Sequence, residues 1–510
     1  MTVSASARAA PADSTSPVRP CESLTQLDLS GVADAPVHVD AARETKFRAA
    51  DVCEVTGFVE PKVKFFVRLP LHGWDGRFLE AGCGGLCGHL PDQYAQTHGC
   101  HPFESGRTAV AGTDMGHEGA GAEFGDEPRL RIDFAYRGVH VTALAAKAIV
   151  AGFYGKPAEH SYFLGCSDGG REGLMEAERY PGDFDGITAG AAAANFLVQN
   201  TFYHAWNVRS NTRPDGRAIL TAAELPILHR AALAACHAED GVIADPLRCT
   251  FDPAAADCTA GETKDCLTPA QVAAARRIYA GPHDPGGLAL TPGGPQPGSE
   301  LSWVGVFAPR PGAEDIFGRL LLGGAIAHLA FAPGSTIALG FDDLAFDAAT
   351  FAKMLPQHKL CDATNPDIAK FVDRGGKLIL WHGASDPHIS PFNTVAYYDA
   401  VKATIGEAKA ETSVRFFLIP GLYHCEGGEG PAETDVLTAT VDWVEHGHAP
   451  AALIVHDDRA SRPVFPYPML AAYSGRGDRS QAASYVPAPP PAPLTVRPWI
   501  GARLFTAGSY

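Results

Sequence analysis

Ser161–Tyr180 reads SYFLGCSDGGREGLMEAERY. The apolar run Ser161–Gly165 has the make-up of a short strand, and Arg171–Tyr180 carries apolar residues at helical spacing. Between them Gly165-Cys166-Ser167-Asp168-Gly169 spells G-x-S-x-G. Alone this pentapeptide is a weak signal, because a tight turn with a capping serine looks the same. Between a strand and a helix it gains meaning. Two glycines permit a strained bend that lifts a serine hydroxyl off the end of a sheet. The helix N-terminus behind it supplies positive potential toward a developing oxyanion.

Outward from this stretch the alternation continues. Val63–Leu69 is an apolar strand run, FLEAGCGGLCG from Phe78 is a strand entering a glycine-rich loop, and Thr108–Thr113 is another strand. Phe134–Phe153 has helical spacing, and Asp185–Gly190 returns to a strand. Strand and helix in this order imply a parallel sheet covered by helices. From about residue 194 to 365 the alternation stops. Apolar pieces there are broken by Gly/Pro tracts such as Gly281–Ser299, which reads as an inserted, loop-rich lid. The α/β pattern resumes at Ile368–Val372, followed by a strand at Lys377–Trp381 and a helix near 393–404. A strand at Val414–Ile419 and a helix near 434–446 complete it. The expected organisation is a disordered leader (1–20), the first part of the core (21–193), the lid (194–365), and the second part of the core with the tail (366–510).

A serine nucleophile needs a base and an orienting acid. In α/β-hydrolases the order is Ser, Asp/Glu, His, each on a loop after a strand. Asp386 follows KLILWHGASD and His424 follows VRFFLIPGLYH, so both positions match. His382 and His388 compete as bases, but only His424 follows the last core strand. Asp386 before Pro387 could simply start a turn. Cysteine placement favours the catalytic reading: Cys166 precedes Ser167 and Cys425 follows His424. If Ser167 and His424 are within hydrogen-bond reach, their neighbours are close enough for a disulfide. The oxyanion would then meet the backbone N–H of Asp168 and one from Gly82-Cys83-Gly84-Gly85, with Gly84 or Gly85 as donor. The alternative for that loop is a plain turn.

Composition bounds the rest. The 510 residues are 46% hydrophobic and 19% charged, which excludes an intrinsically disordered chain. With 41 Lys+Arg against 58 Asp+Glu the formal charge is −17, unfavourable for nucleic acid or anionic membranes. No run of ~18 apolar residues predicts a membrane-spanning helix. Twelve cysteines favour an oxidising compartment. The N-terminal stretch lacks the apolar run of a signal peptide, so either export uses a segment outside this sequence or the cysteines are unpaired.

The segments IDFAYRGVHVTALAAKAIVAGFYG, SYFLGCSDGGREGLMEAERYPGDFDGITAGAAAANF, GGKLILWHGASDPHISP and GLYHCEGG resemble the tannase/feruloyl esterase family, over about residues 50–485. The resemblance implies a secreted serine esterase with an α/β-hydrolase core and a large lid. It implies Ser167 as nucleophile, Asp386 as acid, His424 as base and a Cys166–Cys425 bridge. It also implies an aromatic ester substrate: hydroxycinnamoyl first, galloyl second, terephthalate monoester third. A non-catalytic binding protein and an acyltransferase on the same fold are the alternatives from other classes. No organic cofactor is implied, and oligomeric state is left open.

This chain departs from the family in its lid. Relatives carry a calcium loop there, whereas Cys236–Cys249 reads CHAEDGVIADPLRC, about four residues shorter, with His237 where an aspartate belongs. Asp240, Asp245 and the backbone oxygen of Val242 are the candidate ligands there. Calcium wants six to eight oxygens, so a disulfide-closed loop between Cys236 and Cys249 is expected instead of a metal site. Phe465 and Pro487 stand where relatives pair two cysteines. Cys258 with Cys266 and Cys21 with Cys53 are further candidate pairs. The sequence does not assign Cys83, Cys87, Cys100 or Cys361.

Overall fold

The computed structural model describes residues 15–508 except 93, 239, 259–263, 314–315, 336–341 and 495. Nine strands form one twisted sheet in the order β1-β2-β3-β5-β4-β6-β7-β8-β9. They are β1 (Val37–Phe47), β2 (Ala50–Val59), β3 (Val63–Pro70), β4 (Arg77–Ala81), β5 (Ala109–Thr113), β6 (His160–Cys166), β7 (Gly186–Gly190), β8 (Lys377–Gly383) and β9 (Val414–Ile419). Pairing is antiparallel from β1 through β3 to β5 and parallel from β5 to β9. This is an α/β-hydrolase core. The parallel strands are short and buried along their length, as expected when helices cover both faces.

Helices Gly138–Tyr154, Asp168–Arg179, Phe392–Ile405 and Val436–His446 pack on the sheet. The helix expected at Phe134–Phe153 opens with a π-turn, Asp133–Arg137, before turning α-helical at Gly138. Where the α/β pattern resumes, Ala369–Asp373 makes a short helix ahead of β8. The hairpin β1–β2 was not anticipated from the sequence. Residues 15–20, expected to be disordered, are placed: Val18 N–H donates to Phe153 O at 2.9 Å, and Thr15 bridges Trp74. The rest of that leader lies outside the described residues.

Between β7 and β8 the described residues form helices and loops but no strand. This insertion has an apolar core of its own, in which Leu225, Leu228, Val272, Ile278, Trp303 and Phe307 pack together. Trp303 and Phe307 are therefore lid core. Phe196 and Phe202 pack into the main core, Tyr203 is buried, and Trp206 sits half-buried against His283 and Phe346. Two small hairpins, Leu453–His456 with Ser461–Val464 and Leu470–Tyr473 with Tyr485–Ala488, follow the last core helix.

Candidate active site

β6 ends at Cys166 and the helix begins at Asp168, so Ser167 alone makes the turn, at φ 64° and ψ −120°. That is a strained backbone for a residue with a Cβ. The turn is held from two sides, with Ser167 N–H donating to Gly190 O at 2.9 Å and Ala193 N–H donating to Ser167 O at 3.1 Å. A Cβ on Gly165 would lie 2.3 Å from the Gly169 carbonyl. Only glycine lets the strand end approach the helix so closely.

The loop after β8 carries Asp386, which is fully buried. Its Oδ1 accepts the N–H groups of His388 at 2.7 Å and Ile389 at 3.0 Å. Its Oδ2 lies 2.7 Å from His424 Nδ1 and 3.2 Å from His382 Nε2. Burial by itself would raise this carboxyl's pKa. The charge of His424, with hydrogen bonds from His382 and His424, more than reverses that and holds Asp386 far below the usual carboxylate range. A carboxylate so placed stays ionised and commits His424 to the tautomer with its proton on Nδ1, leaving the Nε2 lone pair to take a proton.

Cys425, at φ 65°, bonds to Cys166 with Cα atoms 6.0 Å apart. Ser167 and His424 are the chain neighbours of these two cysteines, so the bridge staples the two loops together. Of the competing histidines, His382 is fully buried, with Nδ1 2.7 Å from Thr394 Oγ1 and Nε2 3.0 Å from Ile389 O. It supports Asp386 from inside the core. The His388 ring lies 4.7 Å from that of His424, and burial keeps it neutral.

The sequence reading missed how the lid grips this site. Tyr203 Oη donates to Pro387 O at 2.9 Å, and Gln199 Nε2 donates to His388 O. His204 stands beside His388, its pKa lowered to about 3 by burial and then by His424. His229 Nδ1 meets Glu300 Oε2 at 2.6 Å, and its Nε2 meets Glu429, which follows His424 in the base loop. The lid residues among these partners are polar and lie on helical segments far from the motifs in sequence, so no local pattern announces them.

The loop after β4 presents Gly84 and Gly85. A Cβ on either would meet nothing within 4 Å, so the space in front of them is open. The N–H groups of Gly84, Gly85 and Asp168 have no acceptor among the described residues. That is the condition of donors aimed at a ligand. Cys83 and Cys87, unassigned from sequence, are bonded to each other across this loop.

Cys236–Cys249, Cys258–Cys266 and Cys21–Cys53 are also bridged. Cys100 and Cys361 are buried thiols whose pKa burial pushes up to about 11 and about 12. In the Cys236–Cys249 loop the Asp240 carboxylate meets Arg462 at 3.0 Å and the Asp245 carboxylate meets Arg248 at 3.0 Å. Both aspartates are thus matched to an arginine, and Val242 turns its side chain onto Gly421 and Gly430; the third acid of the loop, Glu239, lies outside the described residues. Asp240 and Asp245 so paired do not offer the unpaired carboxylate oxygens that calcium prefers.

The family model "Tannase and feruloyl esterase" matches residues 48–488. The chain belongs to the tannase and feruloyl esterase family. It is thus a carboxylic ester hydrolase. It is 32% identical to the mono(2-hydroxyethyl) terephthalate hydrolase of Piscinibacter sakaiensis, over 89% of this chain and 87% of that one. It is 30% identical to a protein of Aspergillus flavus named probable feruloyl esterase B-2, over 81% of each. Among solved structures, an esterase from Aspergillus oryzae superposes with a TM-score of 0.79 at 25% identity, covering 92% of this chain and all of that one.

Proposed function

We propose that this esterase cleaves esters of aromatic carboxylic acids, hydroxycinnamic acids first among them, through an acyl-enzyme on Ser167. His424 Nε2 takes the Ser167 proton as the hydroxyl attacks the ester carbonyl. Asp386 holds the ring and stabilises the imidazolium. The N–H groups of Asp168 and of Gly84 or Gly85 receive the oxyanion. His424 then protonates the departing alcohol, and water repeats the cycle on the acyl-enzyme.

The observation that carries this reading is the joining of a buried, ionised Asp386 and His424 to the Ser167 turn through Cys166–Cys425. Support for an aromatic acyl group comes from the relatives, one named for a terephthalate ester and one for feruloyl esters. Five disulfides among the described residues support a site of action in an oxidising compartment, outside the cell or in a periplasm. No helix among the described residues is long and apolar enough to cross a membrane. Neither an organic cofactor nor calcium enters the proposed chemistry.

The test is a panel of methyl ferulate, methyl caffeate, methyl gallate and a terephthalate monoester. The reading expects the highest kcat/KM on the two hydroxycinnamates. A preference for gallate or terephthalate would move the substrate class within the family, and turnover of none of the four would overturn the aromatic assignment.

A further inference from the structure

Acyl transfer does not by itself call for a disulfide between Cys83 and Cys87, nor for a buried carboxyl beneath it, yet both are present. The bridge spans a sequence separation of 4 and encloses Gly84, Gly85 and Leu86. Inside this ring Cys87 N–H donates to Gly84 O at 3.0 Å, and Gly85 and Cys87 hold φ of 66° and 61°. Two adjacent glycines in an open loop would sample many backbone conformations, so their N–H groups would point in many directions.

Glu172, 2% exposed on the helix Asp168–Arg179, lies directly beneath the ring. Its Oε2 accepts Cys83 N–H at 3.2 Å, while Oε1 lies 2.8 Å from Cys83 Sγ and 3.3 Å from Cys87 Sγ. Bridged sulfurs carry no hydrogen, so the sulfur contacts are packing, and an ionised carboxylate there would be short of donors. Burial, and then the neighbouring Asp168 carboxylate, hold Glu172 well above the usual carboxylate range. The protonated acid fits, its O–H donating to Asp168 and its second oxygen accepting from Cys83. Asp168 is in turn held by Arg171, with Nε at 2.6 Å and Nη2 at 2.9 Å. Arg171 is fully buried and donates onward to Ala135 O at 2.7 Å and Phe134 O at 3.1 Å. Asp168 is the first residue of the helix that follows Ser167. One chain of hydrogen bonds therefore ties the nucleophile's helix to the glycine loop.

We propose that the Cys83–Cys87 bridge and Glu172 together form a positioning device that fixes the Gly84 and Gly85 N–H groups against Ser167 and the Asp168 N–H. The device deepens the reading of Gly84 and Gly85 as oxyanion donors and rests on it. Donors fixed before the reaction cost no reorganisation when charge develops, which is where oxyanion stabilisation gains its strength. Cys83, Cys87, Asp168 and Glu172 could also be read as a metal cluster, since their ligand atoms lie within 4.8 Å of one another. The bridge removes both sulfurs from that role, and Arg171 occupies Asp168.

The experiment uses the full chain, with Cys83→Ala/Cys87→Ala, Glu172→Ala and Glu172→Gln, on methyl ferulate. A reductant is unsuitable because it would also open Cys166–Cys425. The second readout is the affinity for phenylboronic acid, which forms a tetrahedral anionic adduct on a reactive serine. The double cysteine variant and Glu172→Ala should lose at least about tenfold in kcat, toward the 10²–10³ of losing one donor outright, with KM within about threefold and boronate affinity falling in parallel. Glu172→Gln, whose amide accepts from Cys83 and donates to Asp168, should stay within about threefold of the parent kcat. If Glu172→Ala does not fold, the cysteine pair and Glu172→Gln decide.

An unchanged kcat in the double cysteine variant overturns the device. So does a loss confined to KM, a Glu172→Gln variant that loses kcat, or finding Cys83 and Cys87 as free thiols in native protein. The underlying reading fails separately, if the parent hydrolyses no ester or Ser167→Ala keeps activity.

Discussion

Two disulfides of this chain stand near aspartates, and Asp386 near one contrasts with Asp240 in the loop closed by the other. Beside Cys166–Cys425, Asp386 is fully buried, with two backbone N–H groups on one oxygen and two histidines facing the other. Beside the Cys236–Cys249 bridge, the Asp240 side chain is 63% exposed and meets Arg462. An exposed pair of that kind contributes little, about 0–1 kcal/mol, and orients nothing. Burial with full hydrogen bonding turns a carboxylate into a fixed electrostatic element, while the exposed Asp240 stays a solvent-screened charge although its partner Arg462 is only 20% exposed. The same covalent staple thus stands beside a buried, fully hydrogen-bonded charge in one region and a largely exposed one in the other.

The largest effect expected from this contrast is at the serine. Ser167→Ala should lower kcat by about 10⁶-fold, the scale seen when a triad nucleophile is removed, with circular dichroism unchanged. Activity within about tenfold of the parent would break the site assignment. Asp386→Asn comes next, with kcat falling by about 10⁴ because the neutral amide no longer fixes the His424 tautomer. Equivalent replacement of Asp240 should leave kcat unchanged, and a loss there would erase the contrast.

Titration sharpens the comparison. The folded-state pKa of Asp386 is depressed, so its stabilisation is present above the unfolded value of about 3.9 and is lost only as pH falls through the lower folded value. Asp386 should therefore remain charged throughout the acid limb of kcat/KM. That limb should follow a single proton, seen as a slope of about one on a logarithmic plot. A two-proton slope would show the acid titrating along with the base.

Legibility followed the same division. Ser167, Asp386, His424 and their flanking cysteines could be read because each sits where a strand ends, and strand runs such as KLILW and VRFFLI are plain in the sequence. The hairpin β1–β2 was missed because β1 lies at the sheet edge, exposed or half-exposed at every residue, and the alternation that opens VHVDAARETKF breaks off after Ala41. The Cys83–Cys87 pairing was missed because it depends on positive φ at Gly85 and Cys87, which sequence does not encode by itself. The grip of Tyr203 on Pro387 joins residues 184 apart, beyond any periodic signal.

Smaller effects concern the staples and the metal. Replacing Cys166 and Cys425 by alanine opens a loop with a sequence separation of 259. The chain-entropy model puts the cost at up to about 5 kcal/mol. In a chain this long that lowers the thermal midpoint by several degrees, and calorimetry would check it. Activity should fall as well, since the bridge sets how Ser167 meets His424. Chelation should do least. A calcium ion at a hundredfold excess over its Kd would add about 2.7 kcal/mol to folding. An EDTA-induced drop of a few degrees, restored by calcium but not by magnesium, would make the Cys236–Cys249 loop a metal site after all.

The most direct measurement is to trap the intermediate. Parent enzyme and excess methyl ferulate, quenched in acid within the first turnover and digested, should yield one modified peptide: the one containing Ser167, heavier by a feruloyl group and absent from Ser167→Ala. A feruloyl group found on any other residue, or rapid turnover by Ser167→Ala, would contradict the account.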